Sequence, residues 1–487
     1  MSNCLRRDQG RGLIKHSTFY FLGRIIPGAV SLLALALYTR LLTADQYGYY
    51  ALVIAVVSFV NAVCFQWLNL SLGRFLPAHE NEPQALLSTA LAGFLGLVAL
   101  TGALGGALAW LWPDKTLQWF VILAVVLGWA QAWFDLNLRI LNVRLAPIRY
   151  GLVASAKALL ALGLGVAFLY FGLGVVGILL GLIVGSLIST LLVWRHWHCA
   201  SLHYYRVRLL KEFIAYGAPL TLTFMLILVV DVSDRFFLGW FLNAKAVGAY
   251  AAAYDLTQQS LGMLMGVIHL AAFPLALRAL EKDGIAEARS QIRENVLLLL
   301  VISVPATVGL AMLADNIAVV MLGTEFREGA GYIITLVALA VFIGGIKSYY
   351  FDYSFQLGRK LQGQVWAVTW AALTNVGLNL WWIPIYGVLG AAYATLISFT
   401  VGLMVSGFLG RKIFVLPPIP GDSYKVALAS AVMAASLWPT VTWRGPLVLA
   451  GQILLGCSVY AVLLIFLDVG RSRSKLMEYP GSVGPKR

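Results

Sequence analysis

The sequence predicts an all-α polytopic membrane protein, and three observations carry that prediction. Of 487 residues, 60% are hydrophobic and only 11% charged, against roughly 25% charged in a soluble domain. The apolar residues gather in runs of about 20, the length at which a helix crosses a bilayer. The charges lie between those runs and are mostly basic, with a net charge of +14. This pattern excludes a cytosolic enzyme, a disordered chain and a secreted disulfide scaffold. It also excludes an outer-membrane barrel, whose strands alternate apolar and polar residues. The basic residues read as orientation signals in short loops, not as a nucleic-acid surface.

Fourteen runs follow in order. After a polar, basic start (Met1 to Lys15), span 1 covers 18–38 and reads as an uncleaved signal anchor. Spans 2 to 6 cover 47–68, 85–111, 117–137, 151–171 and 174–194. Spans 7 to 12 cover 213–233, 247–273, 295–314, 331–353, 363–383 and 387–409, and spans 13 and 14 cover 424–443 and 446–467. The links 5/6, 11/12 and 13/14 are so short that these pairs must be antiparallel neighbours. With the N-terminus inside, only Arg40, Lys115, Lys245, Arg327 and Arg444 fall in outer segments. Arg24, Lys157 and Lys347 lie within spans, Arg235 sits at the outer end of span 7, and all other Lys and Arg residues are inside. One added or dropped span would invert that bias, so both termini are expected in the cytoplasm. No pair among Cys4, Cys64, Cys199 and Cys457 shares an outer loop, so no disulfide is expected.

The chain also repeats itself. Leu42 to Ala51 (LTADQYGYYA) and Leu242 to Ala251 (LNAKAVGAYA) match at five of ten positions, 200 residues apart. Each copy links the first two spans of a six-span unit. Gly174-Val-Val-Gly177 and Gly387-Val-Leu-Gly390 both open the sixth span of each unit. The expected organisation is an N-lobe (1–211, spans 1–6), a C-lobe (212–412, spans 7–12) and an appendix of spans 13 and 14 with a tail (413–487). The two six-helix lobes are related by a pseudo-twofold axis along the membrane normal, and that symmetry suits a transporter working around a central cavity.

Ionisable residues inside spans are costly and point to cavities or partners. Arg24 in span 1, near Pro27-Gly28, faces either the inter-lobe cavity or the inner headgroups. Lys157 lies two turns into span 5, and Lys347 in span 10 is too deep to snorkel easily, so it reads as a cavity cation or as half of an ion pair. Asp352 follows Lys347 at a spacing of five. Asp231, Asp234 and Arg235 form the densest charged group, at the outer end of span 7, and read either as a gate or as a static local pair. Asp255 in span 8 is the expected ion-coupling acid, with Asp352 the second. His269 reads as a hydrogen-bonded structural residue. Asn61, Gln66 and Asn69 in span 2 share part of a face with Arg74, and Asn375 and Asn379 form an i,i+4 pair in span 11. Either set binds sugar hydroxyls or holds helices together. No nucleotide loop, paired-cysteine pattern or metal-ligand spacing occurs in a plausible setting, so no cofactor, metal or ATP-driven step is expected.

Four segments resemble a known family. The run TRLLTADQYGYY (39–50) followed by LGRFLP (72–77) resembles the first lobe of bacterial polysaccharide flippases. YGAPL (216–220) and DRFFLGWFLNAKAVGAY (234–250) resemble the opening of the second. The family is the Wzx-type oligosaccharide flippases of the multidrug/oligosaccharidyl-lipid/polysaccharide (MOP) exporter superfamily, and the likeness covers nearly the whole chain. It implies two six-helix lobes around a cationic cavity. It implies transfer of an undecaprenyl-diphosphate-linked oligosaccharide from the inner to the outer leaflet of the bacterial cytoplasmic membrane, for O-antigen, capsule or exopolysaccharide synthesis. Arg24 and Arg74 would attract the diphosphate, and Asp234-Arg235 would sit at the lobe interface. The expected partners are membrane lipids, the lipid-linked oligosaccharide, and a polysaccharide polymerase with other assembly proteins. The roles of Lys157, Lys347 and Asp255 rest on depth alone.

The chemistry agrees with the likeness. A pyrophosphate and sugars cannot cross about 30 Å of hydrocarbon unaided, and cationic side chains recognise phosphate through charge-assisted hydrogen bonds. The alternatives are a drug:cation antiporter of the same superfamily and a membrane polysaccharide polymerase. The short outer segments argue against the polymerase, and the chain is expected not to be an enzyme.

Overall fold

The computed structural model describes residues 23, 25–79, 83–111 and 113–471. Among them the regular structure is helical, with no strand. Arg24 and Cys4 lie outside the described residues. The helices are α1 (Ile25–Leu41), α2 (Ala44–His79), α3 (Pro83–Leu111), α4 (Lys115–Val143), α5 (Pro147–Tyr170), α6 (Gly174–Thr190) and α7 (Val207–Phe241). There follow α8 (Ala244–Lys282), α9 (Ile285–Met312), α10 (Ala330–Leu357), α11 (Gln362–Tyr386), α12 (Val388–Gly410), α13 (Ser423–Leu437) and α14 (Pro446–Phe466). A short helix, Ala314–Met321, precedes α10.

Eleven of these helices are long and apolar enough to cross a membrane. The other three predicted spans coincide with α1, which is apolar but has 17 residues, α13 with 15, and α11, which carries Asn375 and Asn379. Several helices outrun their apolar windows. Helix α9 begins at Ile285, ten residues before the predicted span, because its first turns are amphiphilic and still helix-forming. Bulky apolar side chains at helix ends, such as Trp110, Phe171 and Trp240, are more than 80% exposed, as aromatic residues at a lipid–water boundary are.

The chain divides into two compact units, up to Gly248 and from Ala249. In the first, α7 packs on α2: the Ser71 hydroxyl donates to the Phe213 carbonyl oxygen at 2.7 Å, and Leu68, Leu72, Leu86 and Phe213 share one core. That packing groups α7 with the helices before it. Helices α5 and α6 meet through a small-residue seam. A Cβ on Gly181 would lie 2.5 Å from the Gly165 nitrogen, and one on Gly185 2.7 Å from the Ala161 nitrogen. Such seams let backbones approach where lipid supplies no hydrophobic drive.

In the second unit, Asn295 Nδ2 donates to the Ala272 carbonyl oxygen at 2.8 Å, joining α9 to α8. Helices α13 and α14 pack through Met433, Leu437 and Tyr460. The Tyr460 hydroxyl donates to the Val301 carbonyl oxygen of α9 at 2.7 Å.

Both halves of the sequence repeat have a physical cause. Helices α2 and α8 each start on a side-chain cap: Thr43 forms a capping box with Gln46, and Asn243 Oδ1 accepts from the Ala246 amide at 2.9 Å. Their first turns then cross backbone to backbone. A Cβ on Gly48 would stand 1.8 Å from the Ala244 carbonyl oxygen, and one on Gly248 2.1 Å from that of Ala44. In the second echo, Gly174 and Gly387 both adopt positive φ (52° and 58°) at a tight turn. Gly177 and Gly390 then sit where a Cβ would strike the preceding helix, Phe168 and Trp382 respectively.

Candidate functional site

The first compact unit encloses a polar cavity of 370 Å³ between α2, α4, α6 and α7. Its polar lining is Ser58, Asn61 and Gln66 from α2, Gln131 and Asp135 from α4, and Asp231 from α7. Apolar side chains, Phe224 and Ala62 as well as leucine, isoleucine and valine, fill the rest.

Helix α2 presents its polar residues through a change of pitch. Residues 54, 57, 58, 61 and 62 follow the ordinary helical stripe. Residues Asn61–Phe65 form a π-helical turn, which holds one extra residue. The stripe therefore resumes at Gln66 instead of Phe65, and Phe65 turns into the hydrophobic core. Asn61 is half-buried, and both its amide atoms are buried with no hydrogen-bond partner among the described residues. Such a group in a cavity leaves a donor and an acceptor open to water, an ion or a guest.

Helix α4 supplies a relay at i,i+4 spacing. The Lys157 ammonium, from α5, donates to Gln131 Oε1, and Gln131 Nε2 donates to Asp135 Oδ1 at 3.0 Å. Lys157 Nζ also stands 4.2 Å from the centroid of the Phe134 ring. One turn beyond, Arg139 Nε donates to Asn69 Oδ1 of α2 at 2.6 Å. A cation, an amide and a carboxylate are thus coupled at the cavity wall.

The structure distributes the expected site residues over separate places. Lys157 reaches the cavity wall through Gln131. Arg74 does not line the cavity: it is exposed in the last turns of α2. Asp231 lines the cavity, while Asp234 and Arg235, one turn on, are buried within electrostatic range of it. In the second unit, Lys347 and Asp352 pair with each other, Nζ to Oδ2 at 2.8 Å. The Ser406 hydroxyl donates to the other carboxylate oxygen at 2.7 Å. Asp255 is half-buried on α8. His269 Nδ1 lies 2.9 Å from the Tyr353 hydroxyl, with its ring stacked on Tyr349. Asn379 Nδ2 donates to Asn375 Oδ1 at 3.0 Å. The sequence reading passed over Asp135 and Gln131. The signal is the spacing Gln131, Asp135, Arg139, one polar residue per turn along one face in and just past a mostly apolar and aromatic span. No cluster of three or more metal-ligating side chains occurs among the described residues.

Comparison with known proteins agrees with this architecture. Over 251 residues the chain is 25% identical to "Probable flippase AglR" of Haloferax volcanii, covering 48% of this chain and 50% of that protein. It thus spans about half the length of that curated relative. The fold is similar to a structure of the lipid II flippase MurJ in an inward closed conformation, with TM-score 0.75 at 16% identity, over 95% of this chain and 100% of MurJ. It is also similar to an inward-facing multidrug resistance MATE transporter of the MOP superfamily, with TM-score 0.63 at 14% identity, over 81% of this chain and 97% of that one. Residues 37–330, more than half of the sequence and the part that builds the polar cavity, match the family described as polysaccharide biosynthesis protein, and the chain belongs to that family.

Proposed function

We propose that this chain is a flippase that carries a polyprenyl-diphosphate-linked oligosaccharide across the cytoplasmic membrane for the assembly of a cell-surface polysaccharide. One observation carries the reading: a polysaccharide-biosynthesis family member holds, among its apolar helices, a cavity edged by amides and two carboxylates, with the Lys157 ammonium bonded behind Gln131. Sugar hydroxyls need donors and acceptors of this kind, because a polar group moved into hydrocarbon without partners costs several kcal/mol. The cavity substitutes for water while the lipid chain stays in the bilayer. The protein acts as a transporter, without an enzymatic step of its own.

In this reading the lobes 1–211 and 212–412 are the moving halves, fourteen helices cross the membrane and both termini are cytoplasmic, as the distribution of Lys and Arg supports. Lys157, tethered through Gln131, is the cation nearest the cavity wall and meets the diphosphate, with Arg24, Arg74 and Lys347 as further cationic contacts along the path. Asp231, Asp234 and Arg235 form the gate. Asp255 and Asp352 couple transport to an ion, and a polymerase receives the product. Deletion of the gene tests the reading. Lipid-linked repeat units should accumulate in the inner leaflet, and proteoliposomes should move a labelled polyprenyl-diphosphate oligosaccharide between leaflets. Normal repeat-unit export in the deletion strain refutes it. Uptake of organic cations without lipid transfer would favour the antiporter instead.

A further inference from the structure

Basic residues gather at one end of the second compact unit. Arg289 comes from the first turns of α9, Arg359 and Lys360 from the α10–α11 turn, and Arg411 and Lys412 from the first residues past α12. Among the described residues none of the five stands in an ion pair. The linker from Arg411 to Asp422 draws them together. Arg289 Nε donates to the Val415 carbonyl oxygen at 2.9 Å, and its guanidinium lies 5.8 Å from the centroid of the Phe414 ring. A Cβ on Gly358 would stand 2.4 Å from Ile413 Cγ2, so the α10–α11 turn rests against the linker. Lys412 Nζ is 5.0 Å from the centroid of the Phe408 ring, which is 63% exposed near the end of an apolar helix. On α9, Glu287 and Glu294 match Arg289 and Arg293 in number. Asp352 and Asp422 are already paired with Lys347 and Lys425. The uncompensated charge is therefore that of Arg359, Lys360, Arg411 and Lys412.

Beside these cations is a pocket of 350 Å³ between α10, α12 and the linker. Its wall is mostly apolar and includes Phe351, Phe414, Leu416, Pro417 and Ile419. Its three side-chain hydroxyls are engaged within the chain. Tyr350 donates to the Pro417 carbonyl oxygen, Ser354 to that of Phe351, and Ser406 to Asp352. Arg411 is the one charged side chain of the wall. It is exposed, and its guanidinium has no partner among the described residues. Val415 and Ile419 are more than half exposed as well, so the linker turns apolar surface outward beside its cations. An apolar chamber with an unpaired guanidinium at its rim fits an anionic amphiphile: a phosphate on the cation and a chain end in the chamber.

We propose that this pocket binds an acidic phospholipid of the surrounding membrane, with its phosphate on Arg411 and Lys412 and the end of one acyl chain among Phe351, Phe414 and Leu416. The site is independent of what the protein carries. The charges select membrane lipid over the carried one, because the cations are exposed and spread over two loops instead of converging on one compact diphosphate. Each Lys or Arg beside an anionic lipid surface strengthens binding about fivefold. Occupied, the pocket ties the linker, and with it the start of α13, to the ends of α10 and α12.

The experiment places the full chain in phosphatidylcholine nanodiscs with a graded fraction of phosphatidylglycerol carrying a diazirine at an acyl-chain end. Labelling of the peptides 350–354 and 411–419 should saturate, and excess unlabelled phosphatidylglycerol should suppress it. Phosphatidylcholine with the same diazirine should not label them saturably. Arg411→Gln with Lys412→Gln should raise the half-saturating fraction about tenfold or more. Arg206→Gln with Lys211→Gln, which removes two exposed cations from the first unit, should leave it unchanged. Equal labelling by phosphatidylcholine, or labelling centred on other segments, overturns the proposal. So does a shift below about twofold in the first pair of substitutions, or an equal shift in both pairs. Competition by undecaprenyl diphosphate at a tenth of the phosphatidylglycerol fraction assigns the site to the carried lipid. Full competition by soluble glycerol phosphate assigns it to a free anion, and either result overturns the membrane-lipid assignment. Where Arg411→Gln with Lys412→Gln fails to fold, the wild-type labelling map and its competitions decide alone.

Discussion

Removal of Lys347 gives the sharpest test of how the second compact unit is held. Its ammonium lies 2.8 Å from Asp352, and the two side chains are 9% and 1% exposed. Ser406 is the other side-chain partner recorded for that carboxylate. Lys347→Met leaves a buried carboxylate with one neutral hydroxyl donor. Breaking a buried pair from one side costs about 3–5 kcal/mol, whereas replacing both partners with apolar residues is often neutral. We therefore expect Lys347→Met and Asp352→Leu each to lower stability by about 3–5 kcal/mol, and the double variant to recover to within about 1 kcal/mol of wild type. Unfolding by SDS titration in mixed micelles, run on all four proteins as a cycle, measures this. A single Lys347→Met variant as stable as wild type refutes the reasoning. The same four proteins separate structure from transport. A stable double variant that still flips lipid makes the pair purely structural, and one that is stable but inactive puts Lys347 or Asp352 in the transport cycle.

Four further outcomes follow from the structure. Gly48→Val and Gly248→Val each place atoms onto a carbonyl oxygen of the crossing helix, and should cost about 1–3 kcal/mol as overpacking does, with lipid-linked repeat units accumulating in complementation assays; Gly106→Val should do neither. Gln131→Leu removes the acceptor of Lys157 and the donor to Asp135, so flipping should fall at least tenfold in proteoliposomes while unfolding shifts by about 1–3 kcal/mol. Asp255→Asn should abolish the response of transport to an imposed pH gradient, and normal transport across a range of gradients removes Asp255 from coupling. Asp422, before α13, accepts hydrogen bonds from Lys425 and from the Gly470 amide, which hold its carboxyl below the usual range. The depressed value means the contact is intact above the ordinary Asp value of about 3.9 and is lost as pH falls through the folded one. The protection factor of the Gly470 amide, its exchange corrected for the intrinsic pH dependence, should hold at neutral pH and fall only below the ordinary Asp value of about 3.9.

The helical class, the lipid-facing surfaces and the repeat were legible because each depends on local composition. Apolar length marks a span wherever it packs, and the glycines of 48 and 248 recur because two backbones touch there. The site was less legible. Asp135 sits in a span that reads as aromatic and apolar, and its importance emerges only when Gln131 and Lys157 are seen on neighbouring helices. Whether Asn61 and Gln66 share a face could not be computed from 3.6-residue periodicity, since the π turn between them changes the count. Depth makes Lys347 either a cavity cation or half of an ion pair, and depth alone does not choose between them; in the structure it is paired. Its carboxylate partner lies five residues on, a spacing that no α-helical pairing rule anticipates.

That spacing has a mechanical corollary. In an α-helix, side chains five residues apart diverge by about 140°, so Lys347 and Asp352 meet across residues 347–351 because that turn is π-helical, underwound by one extra residue. The same device recurs at 61–65 in α2 and at 258–262 in α8. Letting one such residue slip back into regular coiling would swivel everything beyond it by about 100°, without sliding the helix through the membrane. In α10 that swivel breaks an ion pair, and in α2 it trades Gln66 for Phe65 at the cavity wall. While it holds, the Lys347–Asp352 bond keeps that turn of α10 in its present register.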